Sequence, residues 1–305
     1  MRIFRIFQRP EYFFRPVQIW RRLRRNTIRK RDQIQLAWGL PVELDLTAYV
    51  GGDIWNVGVF DRIVPEAILR LLDRGEYAID IGANIGQNTS AMALAAGPEG
   101  MTVGFEPGPE SWSLLTRNVE KWKDYDISPI TLVRKGASDR AGTAFLYPAN
   151  DLGGFSLESD PAGPARPRRE GSTGVDIEVT TLDEFLPEDS EIGLIKIDVE
   201  GHEFQVLKGA RRLLEQKRIR DIVFEDYFPQ PSLVVVYLQA AGYTVFRLTQ
   251  SWLGPVLFER REYPQRMREA PNFLATRDPE RARARFRGRG WKCLSVRVQI
   301  KRAVS

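Results

Sequence analysis

The chain has 305 residues, 43% of them hydrophobic, with one cysteine and one histidine, enough apolar material for one large core with an appended piece. Cys293 alone excludes a disulfide framework and a cysteine-rich zinc site, His202 alone excludes a multi-histidine metal cluster, and such sparse cysteine suits a reducing, cytoplasmic setting. The net charge of +5 conceals two basic ends, with 11 Lys and Arg against one acid in residues 1–31 and 10 against two in residues 276–302, on a body with 24 basic and 37 acidic residues; that distribution argues against a nucleic-acid partner and for contact with an anionic surface, or with the acidic body of the same chain or of a partner.

Residues 1–31 carry an apolar stripe that includes Phe7, Phe13, Trp20 and Leu23, interrupted by Pro10 and Pro16. Such a segment suits peripheral contact with the inner membrane surface or packing in a homo-oligomer, against the plainer reading of solvated ends. The start lacks the apolar core and cleavage site of a secretory signal, and no run of about 18 uncharged apolar residues predicts a membrane span. Residues 40–60 read as short strands and turns broken at Gly51 and Gly52. Helical spacing then runs from Asp61 to Asp73 through Ile63, Val64, Ala67, Ile68, Leu71 and Leu72.

From there strands and helices alternate. Strands are predicted at 77–81, 101–105, 131–135, 193–199, 221–225 and 243–247, and helices at 88–96, 109–120, 203–216 and 231–241. The stretches 142–147 and 175–179 read as edge strands on either side of a proline- and glycine-rich loop at 160–174. Residues 272–276 supply a last strand, at the sheet edge or antiparallel. Residues 277–290 read as disordered, and Leu294, Val296, Val298 and Ile300 alternate like an exposed edge strand. The alternation predicts an α/β fold with a mostly parallel sheet covered on both faces. It divides the chain into an N-terminal extension (1–59), a main domain (60–276) and a basic, partly disordered tail (277–305).

Residues 77–89, YAIDIGANIGQNT, form a strand, a small-residue turn and the start of a helix. The spacing is D-x-G-x-x-x-G, and the middle glycine through which a pyrophosphate reaches the backbone is replaced by Asn84. A ligand without a pyrophosphate is expected, and S-adenosylmethionine fits. Ligands of open parallel sheets lie beyond the carboxyl ends of the strands, so Gly82, Asn84 and Gly86 are candidate contacts. Glu106 ends the next strand 24 residues past Gly82, close to the offset at which an acid accepts both hydrogens of a ribose diol. Ser138 and Asp139, past the third strand, could hold an adenine edge, although the same residues also make an ordinary turn.

The run IGLIKIDVEGHE (192–203) is unusual for a central strand, because Lys196, Asp198 and Glu200 share one side by two-residue alternation. Buried charge costs several kcal/mol unless it is paired, so Lys196 is expected to pair with Asp198 or with Glu225 of the next strand. Asp198, Glu200 and His202 lie at or beyond the strand end. Methyl transfer needs an acceptor in line with the methyl group and, for a hydroxyl acceptor, a nearby base. His202 has the intrinsic pKa for that role, and Asp198 or Glu200 could orient it or act instead. The acids could alternatively hold a divalent ion, although no metal site is assigned.

These blocks, IDIGANIGQNT (79–89), GFEPGPESWSLLTRNV (104–119), VTTLDEF (179–185), LIKIDVEGHEFQVLKGA (194–210) and IVFEDY (222–227), resemble the FkbM-type methyltransferases over about residues 60–276. The resemblance implies a class I, Rossmann-like domain with a seven-stranded sheet. It implies S-adenosylmethionine as cofactor and a hydroxyl on a sugar, glycan or related small molecule as acceptor. It implies a cofactor role for Asp80 and Glu66, matches Asp198, Glu200, Gly201 and Glu203 to the family's fourth-strand block, and makes His202 a poor universal base because alanine also occurs there. A nicotinamide-binding protein would need a glycine near position 84. A non-catalytic scaffold would leave the buried acids without a purpose, and a nucleic-acid methylase is disfavoured by the acidic body.

Overall fold

The computed structural model describes residues 31–148, 155–156, 174–251, 253–259 and 271–300. The basic segment 1–30 and the loop 160–173 lie outside the described residues. A hairpin of β1 (Arg31–Gln35) and β2 (Pro41–Asp45) leads into α1 (Tyr49–Val57) and α2 (Ile63–Leu71). Then follow β3 (Tyr77–Ile81), α3 (Gln87–Ala96), β4 (Met101–Phe105), α4 (Pro109–Glu120) and β5 (Ile130–Val133). Four strands come next, β6 (Gly136–Ala137), β7 (Gly142–Pro148), β8 (Phe155–Ser156) and β9 (Val175–Thr180), followed by the short α5 (Leu182–Phe185). The chain closes through β10 (Ile192–Ile197), α6 (Glu203–Lys208), α7 (Arg211–Glu215), β11 (Ile219–Glu225), α8 (Leu233–Ala240), β12 (Thr244–Ser251), β13 (Gly254–Phe258), β14 (Asn272–Thr276), α9 (Pro279–Phe286) and α10 (Lys292–Ser295).

The main sheet has the order β13-β12-β14-β11-β10-β3-β4-β5. Five neighbouring strands, from β11 to β5, are parallel, while β14 runs antiparallel between β11 and β12. The sheet therefore has eight strands rather than the expected seven. The eighth arises because Gly254–Phe258 folds back on β12 as an antiparallel hairpin. The last predicted strand is antiparallel as expected, but it lies inside the sheet.

Alternation along the central strands separates two cores. Ala78, Leu194, Val223 and Leu274 face α2, α3, α9, α10 and the β1–β2 hairpin. Ile79, Ile195, Ile197, Ile222 and Phe273 face α6, α7 and α8. Both faces of the sheet are covered, which is why these strands read as nearly continuous apolar runs.

Several expectations are corrected by packing. Gly51 and Gly52 do not break the chain; α1 runs through them because Ile54, Trp55 and Val57 bury their side chains in the first core. The stretches around 142–147 and 175–179 are not edges of the main sheet but pair with each other, antiparallel, in a separate four-stranded sheet. The helix expected over 203–216 is divided at Gly209 and Ala210, where a Cβ on Gly209 would lie 1.9 Å from the Ser138 carbonyl oxygen.

Among the described residues, 277–300 are not a disordered tail. Asp278 caps α9 by accepting from the Arg281 amide, and Ala282, Phe286, Trp291, Cys293 and Leu294 are buried in the first core. Of the residues expected in an edge strand, Leu294 lies in a helix and Ile300 makes an antiparallel bridge to Tyr125. Leu36, Trp38, Leu40 and Val42 enter the same core, so the boundaries expected at 59/60 and 276/277 do not separate packing units.

Candidate active site

The ends of β3, β4, β10 and β11 bring together a row of polar side chains on one face of the sheet. Register pairs Lys196 with Asp80 and Asp80 with Gly104. Two-residue alternation carries the same face on to Glu106, Asp198 and Glu225. Ile197 pairs with Phe224, so Asp198 and Glu225 leave the sheet side by side. On the far side Glu225 pairs with Asn272, whose side-chain amide donates to Asp61 at 2.6 Å.

The glycine turn after β3 is built by positive φ angles, +79° at Gly82, +51° at Asn84 and +95° at Gly86. The Gly82 and Ala83 amides both donate to the Phe105 carbonyl, which fastens the turn to the tip of β4. Glu106 completes that junction. One of its oxygens accepts the Asn84 amide at 2.7 Å and the other the Gly108 amide at 2.8 Å. Burial pushes the Glu106 carboxyl up to about 7, against the lowering effect of those two amides. In the first turn of α3, Asn88 Oδ1 is buried and receives no hydrogen bond among the described residues.

Asp80 is fully buried. It accepts from the Thr89 hydroxyl at 2.6 Å and faces the Lys196 ammonium at 3.2 Å. It is therefore enclosed beneath the turn. Lys196 also reaches Asp198 at 3.6 Å and donates to the Gly82 carbonyl at 2.8 Å. Of the two expected partners Asp198 is therefore present, while Asp80 stands in the place expected for Glu225. Burial alone would lower the Lys196 pKa, but Asp80 and Asp198 outweigh it and raise it.

The acidic tip is crowded. Asp198 has a side chain 38% exposed, and Glu200 is exposed at the following turn with φ +53°. Surrounding protein and the Asp198 charge raise the Glu200 carboxyl. Burial, reinforced by Asp198, pushes Glu225 up to about 9, and burial raises Asp61 to about 6. Tyr227, 66% exposed, engages Glu225 through its hydroxyl. Glu203 buttresses the turn by accepting the Val199 amide at 3.1 Å and the Gly201 amide at 3.2 Å.

Other expected contacts are placed differently. Glu66 is fully buried on α2, with its carboxylate held by Arg70 at 2.6 Å and by the Cys293 amide at 2.8 Å. It anchors the C-terminal segment instead of facing a ligand. His202 is buried, and its Nε2 lies 3.0 Å from the Ser138 hydroxyl. Burial, helped by Lys208, lowers its pKa to about 4, which makes it a weak base. Asp139 receives Lys208 at 2.8 Å. Ser138 and His202 therefore tie the end of β6 to the start of α6, and Asp139 ties it to the end of α6 through Lys208. Sequence reading missed Asp61, Asn272 and Tyr227. Glu225 and Tyr227 stand in the quoted IVFEDY block, whereas Asp61 and Asn272 meet only through sheet order.

The methyltransferase FkbM domain matches residues 80–245. The chain is 27% identical over 208 residues to methyltransferase sdnD of Sordaria araneosa, covering 59% of this chain and 78% of the relative. It is 26% identical over 206 residues to the hexuronic acid methyltransferase AglP of Haloferax volcanii, covering 63% and 78%. Among solved structures, an rRNA methylase from Streptococcus thermophilus aligns at 12% identity over 70% of this chain and 92% of its own, with a TM-score of 0.39. With the family model spanning more than half of its residues, the chain belongs to the FkbM methyltransferases and is an enzyme that uses S-adenosylmethionine as methyl donor.

Proposed function

We propose that the enzyme transfers the methyl group to a hydroxyl oxygen of a sugar, glycan or related small molecule, at the tips of β3, β4, β10 and β11. The observation that carries this reading is the contact between two subsites. The turn that would hold the donor is bonded to Glu106 on one side, and on the other it packs against the backbone of Asp198.

The residues of the turn suit the donor. Glu106 is a carboxylate at a strand tip with lone pairs left for two ribose hydroxyl hydrogens. The unpartnered Asn88 carbonyl oxygen suits an ammonium donor. Gly82, Asn84 and Gly86 shape the backbone around them, and Asp80 acts from beneath through Thr89 and Lys196. The donor supplies an electrophilic methyl group on a sulfonium, and little covalent help is needed from the protein.

What the protein must supply is position and a destination for the hydroxyl proton. Asp198 is the group for that proton, because it is the partly exposed carboxylate next to the turn. Glu200 and Glu225 flank it and orient the acceptor hydroxyl. Exposed Tyr227 offers a ring face at the rim, where a sugar's C–H face can rest. The Haloferax relative, a hexuronic acid methyltransferase, supports a carbohydrate acceptor.

The test uses purified protein, donor labelled in its methyl group, and a panel of neutral sugars, uronic acids and phenols. Label fixed to a neutral sugar and stable to mild alkali is the expected result. Label released as methanol by alkali would mean that a carboxyl group is the acceptor, and would overturn the hydroxyl assignment.

A further inference from the structure

Lys196 occupies the middle of the sheet and is 3% exposed, at a place where an apolar residue would pack without any charge to compensate. Its ammonium makes four contacts: Asp80 Oδ1 at 3.2 Å, Asp198 Oδ2 at 3.6 Å, the Gly82 carbonyl at 2.8 Å and the Ile81 carbonyl at 3.3 Å. Three of these belong to the end of β3 and the glycine turn, and the fourth is the acidic tip of its own strand. A simple neutralising role for Asp80 would need only the first. The bond to Gly82 falls on a residue at φ +79°, whose carbonyl direction sets the path of the turn.

We infer that Lys196 is a positioning residue that clamps the donor turn to the acidic tip, so that the backbone around Gly82 and the Asp198 carboxylate are set in place together. This rests on the proposed function. Its surroundings are Asp80 on β3, Glu106 past β4, Asp198 and Glu200 past β10, and, from β11, Val223 in register with Glu225 beyond. The ammonium also holds down the Glu106 carboxyl. Its removal therefore affects the donor subsite both through the Gly82 carbonyl and through the protonation of Glu106.

The test measures S-adenosylhomocysteine affinity by calorimetry across pH 5.5–9 for the wild type, Lys196→Met, Asp80→Asn and the charge-balanced pair Lys196→Met/Asp80→Asn. Lys196→Met should bind at least tenfold more weakly, and its affinity should fall away at a higher pH than in the wild type, because Glu106 keeps its proton longer. The paired variant should regain thermal stability without regaining affinity. Affinity that returns to within twofold of the wild type in the paired variant would reduce Lys196 to an ion-pair partner and overturn the inference. Should the variants not fold, the ammonium signal of Lys196 in ¹⁵N-lysine-labelled wild type decides: a shift on adding S-adenosylhomocysteine supports the clamp, and an unchanged signal overturns it. A wild type that binds no S-adenosylhomocysteine at all would instead strike the donor site of the proposed function.

Discussion

Gly82 lies against Asp198 so closely that a Cβ on the glycine would stand 2.1 Å from the aspartate's carbonyl oxygen. The Asp198 amide in turn donates to the Ile81 carbonyl at 3.2 Å, so backbone contacts lace the two strand ends together beside the Lys196 side chain. No side chain fits between them, and the φ of +79° at Gly82 adds a left-handed conformation that costs L-residues about 1 kcal/mol or more. Gly82→Ala should therefore lose S-adenosylhomocysteine binding and lower the melting temperature together. Calorimetry and a thermal melt check this, and a variant with undiminished affinity would remove the turn from the donor site.

Glu106 holds two backbone amides and is the donor-side carboxylate. Glu106→Gln keeps the size but can accept at only one atom, so one amide or one ribose hydroxyl loses its partner. A hydrogen bond to a charged group is worth about 1.5–3 kcal/mol, which corresponds to roughly a ten- to hundredfold loss of affinity. With its carboxyl at about 7, wild-type affinity should rise with pH from about 6 to 8. In Glu106→Gln that dependence should flatten.

Asp198 and His202 make opposite predictions. Asp198→Asn should bind S-adenosylhomocysteine and lose turnover by about two to four orders of magnitude, the usual worth of a positioned base. His202→Ala should keep most of its turnover while losing stability, because the ring packs against Ser138 and not against an acceptor. Full activity in Asp198→Asn, measured with whichever acceptor the labelling identifies, would reassign the base.

Stability should fall as pH rises above neutrality. Buried Glu106 and Glu203 stay protonated to about 7 and Glu225 to about 9, all above their unfolded values. The native state therefore binds more protons than the unfolded state between roughly pH 4.5 and 9, and stability declines over that window. His202, lowered to about 4, works in the other direction between about pH 4 and 6.5 and offsets part of the early decline. Melting temperature should fall gradually from about pH 5 to pH 7 and further toward pH 9, and Glu225→Gln should remove most of the drop above pH 7.

Arg70 fixes the C-terminal segment by donating to the carbonyls of Arg285, Gly288 and Gly290, each at 2.9 Å, while its Nε pairs with Glu66. Arg70→Met leaves the Glu66 carboxylate buried and unpaired, at a cost of about 3–5 kcal/mol. Deleting residues 277–305 should be at least as damaging, because Trp291, Cys293 and Leu294 leave the core. A truncated chain that melts like the full one would contradict that packing.

The sequence by itself determined the alternating strands and helices, the glycine turn, and the acids at the ends of β4 and β10. Those features are local: alternation, turn residues and strand ends are written within a few positions of one another. Tertiary structure alone decided which charges meet. Lys196 pairs with Asp80 rather than Glu225 because β3, not β11, presents a carboxylate in register with it. Glu66 was lost to Arg70 and Cys293, and His202 to Ser138, because segments distant in sequence pack there. The C-terminal segment reads as solvated from its arginines, yet the apolar residues spaced among them fill the first core. Net charge and composition do not record which side of a helix finds a partner, and that is settled only when the sheet order brings the surfaces together.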